Sequence, residues 1–186
     1  MQRQALAHPQ VAVRLLRDGK EILNTPGDGR LLSAMAGVYG REAANLVPVD
    51  SHWESSQVRG FVSKPTQARA SRAYQIFFVN GRPVKSKLLQ SALEEAYRNQ
   101  LMVGKFPACV LHVQVPPHTV DVNVHPAKTE VKFLSEREAF DCVHYGVLAA
   151  LNKTQDRPQL HLSGEKPEPA PAPKKQEAFQ TVPAET

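Results

Sequence analysis

Cysteine is scarce in this chain, with only Cys109 and Cys142 among 186 residues. Two cysteines cannot build a disulfide framework, and no zinc-ligand spacing surrounds them. Cys109 falls in an apolar strand and Cys142 in a predicted helix, which suits buried free thiols in a reducing compartment. Long apolar runs are also missing; none approaches the ~20 residues that cross a bilayer. The opening residues, Met1 to Pro9, have no apolar centre of a secretory signal, so an intracellular protein is expected. There is no P-loop. Among the histidines, His112, His118, His125 and His144 place no two on adjacent helical turns, and no cysteine or carboxylate completes a tetrahedral set, which argues against a metal. No Ser/His/Asp or Cys/His set presents a nucleophile, because both cysteines lie on predicted apolar faces.

What is present is a mildly basic chain with a tail. Lys plus Arg number 23 against 18 acids, a net charge of +5. Residues 154–186 hold four bases and five acids, so residues 1–153 carry +6. Such a body fits a polyanionic partner such as nucleic acid, and equally a charge that serves solubility. Six of the 15 prolines lie from Thr154 onward, with Phe179 the one aromatic there. That stretch cannot bury enough apolar area to offset chain entropy, so residues 154–186 are expected as a disordered Pro-rich linker after a domain at 1–153.

The coarse pattern is mixed. Residues 2–8 read as the end of a helix stopped before Pro9, and Val11 to Leu23 as a hairpin turning at Asp18-Gly19. Leu31 to Tyr39 has helical spacing, with Gly40 suited to its end. Val58–Val62, Tyr74–Val79 and Cys109–Val115 are strand-like. Ser86 to Asn99 carries a clear apolar stripe, with Glu94 and Arg98 able to pair on its wet side. A last helix starts at Ser135, with Glu138 three residues on as a capping box. Pro26-Gly27-Asp28-Gly29-Arg30 reads as a turn. The expected class is α/β (α+β): a two-layer sandwich, a mixed sheet with helices on one face.

Two words carry most of the information. Val120, Val122 and Val124 alternate with Asp121, Asn123 and His125. Pro126 then removes a backbone donor, and Glu130 to Phe133 resumes the alternation. Lys128 therefore sits on a loop between two strands, a good place to hold one cation against a phosphate; an ordinary exposed lysine would leave the same spacing. The second word is Phe78-Val79-Asn80-Gly81-Arg82. Arg82, Lys85 and Lys87 follow its Asn-Gly turn at a helix entrance, a position suited to phosphate contacts or to a solvated charged face.

The run Asn-Val-His-Pro-Ala-Lys-Thr-Glu-Val-Lys-Phe (123–133) resembles the signature of the MutL family of DNA mismatch-repair ATPases, and Phe-Val-Asn-Gly-Arg resembles that family's second marker. The likeness runs from about Gln2 to Asn152. It implies the transducer, or second, domain of the ATPase half. The implied fold resembles the second domain of a small-subunit ribosomal protein, with a left-handed βαβ crossover. It also implies that Lys128 reaches the γ-phosphate of ATP held with Mg²⁺ by a preceding GHKL domain. From their shared strand face, Asn123 and His125 would either brace that loop or be surface polar residues satisfied by water, and Glu130 would either orient the lysine or be an incidental carboxylate. Basic residues near Arg82 would line a DNA groove, which Arg59, Lys64, Arg69 and Arg72 would widen. The glycine-rich GHKL words are not in this chain, so ATP is expected in the full-length protein and not on this segment. Implied partners are DNA, a MutS-like mismatch recogniser, downstream repair enzymes and a second copy, joined through parts beyond this chain. No membrane is involved, the source is bacterial, and the setting is the cytoplasm, with the nucleoid. A stand-alone basic nucleic-acid-binding module of the same fold is the competing reading; a pure protein–protein scaffold is a third.

Overall fold

The computed structural model describes residues 1–121 and 130–155, the side chains of residues 41, 42, 44 and 155 excepted. Short helix α1 (Gln2–Ala7) leads into the hairpin β1 (Val13–Arg17) and β2 (Lys20–Thr25). Asp18 and Gly19 both take positive φ at its tip, as an Asp-Gly turn of this kind demands. Helix α2 (Leu31–Tyr39) follows, preceded by a turn in which the Arg30 N–H donates to Asp28 Oδ1 at 2.9 Å. The Gly-Asp-Gly word is thus a turn, as expected.

Strands β3 (Leu46–Trp53), β4 (Ser56–Ser63), β5 (Gln75–Val79), β6 (Arg82–Val84) and β7 (Cys109–Gln114) form one sheet in the order β3-β4-β7-β5-β6. All pairings are antiparallel except β5 with β7, which run parallel. Parallel neighbours need a crossover, supplied by β6 and helix α3 (Lys87–Ala96). A two-residue hairpin, β8 (Val120–Asp121) and β9 (Lys132–Phe133), and the long helix α4 (Glu136–Gln155) complete the described chain. The Pro-rich stretch beyond Gln155 lies outside the described residues.

The core forms where alternate strand residues meet the helices. Phe77 and Val79 of β5, Leu111 and Val113 of β7, and Val58 and Val62 of β4 join Leu89, Leu93, Val143 and Val147 of α3 and α4. Gly146 lets α4 approach the sheet: a Cβ there would lie 2.6 Å from Val58 Cγ1. Trp53 stacks on Tyr145 at 4.8 Å, tying β3 to the same helix.

The mixed sheet with packed helices agrees with the α+β sandwich read from sequence, but the helices do not all lie on one face. Ile76 and Phe78 of β5 and Val110 of β7 turn to the opposite side, where Leu6 of α1 and Ala34 and Met35 of α2 cover them. The reason is in β5 itself, whose five residues are all buried. A strand apolar on both sides needs a layer on each.

β3 is not among the expected strands. Val47 and Val49 alternate correctly, but Pro48 hides the pattern. The proline is tolerated because β3 is an edge; Pro83 sits on the other edge, β6. Glu94 also departs from expectation. It accepts from Arg72 at 2.6 and 3.0 Å, while Arg98 pairs with Glu95 at 3.1 Å. The capping box is half formed: the Glu138 N–H donates to Ser135 Oγ at 3.4 Å, but its carboxylate accepts from Ser55 and Ser56 at 2.7 Å each. Both cysteines are buried free thiols, and burial pushes the Cys142 thiol up to about 11.

Candidate functional site

Two neighbouring features carry the residues singled out from sequence. The first is the β8–β9 stem. Val120 pairs with Phe133 and Asp121 with Lys132. Phe133 is buried in the main core, with Val120 and Val131 packed against it, so the stem is anchored from below. A 3₁₀ turn over Pro117–Thr119 leads into β8, and the Leu134 N–H donates to the Thr119 carbonyl at 2.8 Å just past β9. The chain between the strands carries Asn123, His125 and Lys128, and all three lie outside the described residues. Glu130, where the description resumes, is exposed.

The second is the β5–β6 turn and the start of α3. Asn80 and Gly81 both have positive φ, the geometry an Asn-Gly hairpin turn requires. The Asn80 side chain does more than permit that turn. Its Nδ2 donates to the Val115 carbonyl and its Oδ1 accepts the Val115 N–H, each at 3.0 Å. Its own N–H donates to the Val113 carbonyl at 3.0 Å. Asn80 therefore prolongs the β5–β7 pairing beyond the last strand residue and holds the turn that presents Arg82. Sequence reasoning took the Asn-Gly pair as a turn and missed this clamp, since the partner lies 35 residues away. Arg82, Lys85 and Lys87 are all exposed, and Ser86 Oγ caps α3 by accepting the Leu89 N–H at 3.3 Å.

Both features border one surface groove of about 450 Å³, lined by Lys85 and Lys87 on one side and by Glu130, Lys132 and Glu136 on the other. The outer arginines of the expected patch are differently placed. Arg59 pairs with Asp50 at 3.2 Å, and Arg72 pairs with Glu94 and lies 4.0 Å over the Phe106 ring. Arg69 lies 5.1 Å over the Tyr74 ring. By contrast, no ion pair among the described residues involves Arg82, Lys85, Lys87 or Lys132. Arg59 and Arg72 thus have carboxylates of their own, while Lys85, Lys87 and Lys132 share their groove with Glu130 and Glu136.

Of the described histidines, His112 and His144 take part in packing, while His8, His52 and His118 are exposed. His112 Nε2 is 3.1 Å from the Leu6 carbonyl at the end of α1, and its ring stacks on Phe78 at 4.5 Å. Burial lowers its pKa. Among the described residues no group of His, Cys, Asp and Glu is arranged to hold a metal, and no helix is long and apolar enough to cross a membrane. Among the described residues the charged groups that face the main groove are Lys85, Lys87, Lys132, Glu130 and Glu136.

A mixed sheet with α3 and α4 on one face and a signature hairpin beside the α3 cap defines a recognisable class. The family model for the DNA mismatch repair protein, C-terminal domain, matches residues 35–152, and the chain belongs to that family. It is 47% identical over 150 residues to the DNA mismatch repair protein MutL of Symbiobacterium thermophilum, covering 80% of this chain and 24% of that protein. It is 41% identical over 155 residues to the MutL of Streptococcus sanguinis, covering 83% and 24%. Both relatives are bacterial, in accord with the expected source. The chain therefore spans about a quarter of the length of the curated relatives it matches. Among solved structures, the N-terminal domain of a DNA repair protein superposes with a TM-score of 0.69 at 24% identity, covering 83% of this chain and 52% of that one. The ATPase domain of the mismatch repair endonuclease MutL from Aquifex aeolicus superposes with a TM-score of 0.52 at 20% identity, covering 78% and 47%. These two likenesses concern the fold.

Proposed function

We propose that this segment of a MutL-type mismatch repair protein couples nucleotide state to DNA binding. One observation supports the reading above others. An anchored hairpin, whose loop carries Lys128, borders the same groove as Lys85 and Lys87, which form no ion pair among the described residues. Lys128 would reach the γ-phosphate of a magnesium–ATP complex held by a preceding domain. Its charge-assisted hydrogen bond exists only while a third phosphate is present, so the two domains close in that state and loosen after hydrolysis. Asn123 and His125 brace the loop. Arg82, Lys85 and Lys87 contact the DNA backbone, which makes binding salt-dependent and nearly indifferent to sequence. The longer protein works as a dimer in the bacterial cytoplasm, at the nucleoid. It relays a signal from a MutS-like recogniser to downstream repair enzymes.

The test separates the two roles. In the longer protein, Lys128→Ala impairs ATP-driven closure and turnover, while the same change leaves the DNA affinity of this segment nearly unchanged. Arg82→Glu does the opposite. Unaltered turnover and closure in Lys128→Ala would remove the sensor role, and unaltered DNA affinity in Arg82→Glu would remove the contact role.

A further inference from the structure

The sheet face away from α3 and α4 carries a small pocket of about 40 Å³ beside α2. Its buried lining is mostly apolar, with Met35, Ala43, Cys109 and Val110, while Tyr39 is half-buried and Tyr74 exposed at its edge. The two rings lie 6.4 Å apart, tilted by 51°. Neither hydroxyl makes a hydrogen bond among the described residues. Burial pushes the Tyr39 pKa up to about 12, so its hydroxyl keeps the proton and stays a donor. One water needs about 10–15 Å³ of such space, so the pocket takes about three small groups. An apolar floor beside two unused O–H donors suits a ligand that combines a compact apolar ring with unpaired carbonyls. A polyproline II segment has both. It forms no internal hydrogen bonds, and aromatic-lined grooves are its usual receptors.

The chain carries such a segment itself: residues 167–173 read Pro-Glu-Pro-Ala-Pro-Ala-Pro. At three residues per turn, Pro167, Ala170 and Pro173 share one wholly apolar face. The segment also starts from the right end of the molecule. Glu138 accepts from Ser55 and Ser56 at the β3–β4 turn, and Gly146 lies against Ser51 and Val58, so α4 runs back along β3. From Gly146 to Gln155 the helix advances about 14 Å, and from Ser51 to Leu46 the strand covers about 17 Å. α4 therefore ends nearly level with Leu46, which lines the pocket. What remains is the way around the sheet, two layer spacings of about 10 Å each. Pro167 is twelve residues beyond Gln155, a reach of up to about 40 Å. On so short a tether the effective concentration is of millimolar order, so even a weak site fills. We propose that the pocket between Tyr39 and Tyr74 holds the chain's own residues 167–173, with a proline ring inserted and the tyrosine hydroxyls donating to the carbonyls beside it. Residues 156–166 are then a strap from α4 to the α2 side of the sheet, and residues 174–186 begin on that side.

The experiment uses the 186-residue chain with ¹³C-labelled methionine methyls and a nitroxide attached at Gln176→Cys. Cys109 and Cys142 are buried, and burial raises both thiols, so the label goes to the new cysteine. The methyl of Met35, which lines the pocket, should lose most of its signal with the oxidised label and regain it when the label is reduced. Adding Pro167→Ser and Pro173→Ser to the labelled chain should restore the signal. Both changes lie in the tail, so a melting temperature equal to the wild type is expected with them. Tyr39→Phe with Tyr74→Phe keeps both rings and deletes both donors; it should restore the signal in part, and no recovery there overturns the hydroxyl contacts. An undiminished Met35 signal in the labelled chain overturns the proposal. Broadening that survives the proline changes does so too, and Phe179→Ala then shows whether Phe179 fills the pocket instead. Broadening that fades on dilution assigns the contact to the tail of a second copy and equally overturns the arrangement within one chain.

Discussion

Replacing Asn80 tests whether the signature turn is held by its side chain or merely by its backbone. In Asn80→Ala two hydrogen bonds of 3.0 Å disappear, and both main-chain polar groups of the buried Val115 lose their partner. An ordinary hydrogen bond contributes about 1 kcal/mol net, and a buried group left unsatisfied costs about 1–3 kcal/mol. Because the turn is near the surface, water replaces part of this, leaving roughly 1.5–3 kcal/mol for the pair. Asn80 also has φ of 47°, a conformation that costs alanine about 1 kcal/mol more. The expected loss is about 2–4 kcal/mol. For a domain of this size it lowers the melting temperature by about 5–15 °C. Asn80→Gly removes the bonds but accepts the positive φ, so it should lose about 1 kcal/mol less than alanine. Urea unfolding followed by circular dichroism gives the three midpoints. Two variants within about 0.5 kcal/mol of the wild type would show that the Val115 bonds do not hold the turn, because surface changes of no consequence fall in that range. Equal losses for alanine and glycine would show that the backbone strain was misjudged.

Two further outcomes follow from the packing. Gly146→Ala improves helix propensity by about 1 kcal/mol yet drives a methyl against Val58 at a cost of about 1–3 kcal/mol, so a net loss of up to about 2 kcal/mol is expected. The double change with Val58→Ala should cost less than the sum of the two single changes in urea unfolding, and strict additivity would refute the contact. Burial disfavours the charged form of His112, so its folded pKa lies below the unfolded value. The associated stability is complete above about pH 6.5 and is lost as the pH falls below that, because the unfolded chain takes up the proton more readily. A His112→Phe variant should show a flatter stability profile between about pH 7 and 5 than the wild type; identical profiles would mean that His112 is not the group responsible.

The parts of the fold that depend on near neighbours in the chain were legible. The stripe from Leu88 to Tyr97 defines α3, Asp18-Gly19 and Asn80-Gly81 define two turns, and the alternation from Cys109 defines β7. Each is a local matter of side-chain period or permitted φ. Where a local signal carried two meanings, the reading slipped. The strand β3 went unread with Pro48 in its middle, because proline is compatible with a strand only at an edge, and being an edge is a property of the sheet. The run Gln75–Val79 announced burial, but which helices cover its second side depended on where α1 and α2 dock.

Charge followed the same division. The sequence alone determined which residues are cationic, that they gather near the Asn-Gly turn, and which family word surrounds Lys128. Only tertiary structure decided which charges meet: Arg72 meets Glu94 across the α3 flank and Arg59 meets Asp50 across a strand pair, while Lys85, Lys87 and Lys132 come together around one groove. An electrostatic interaction is set by distance in space, and residues far apart in the chain acquire that distance only when the sheet order and the helix docking are complete.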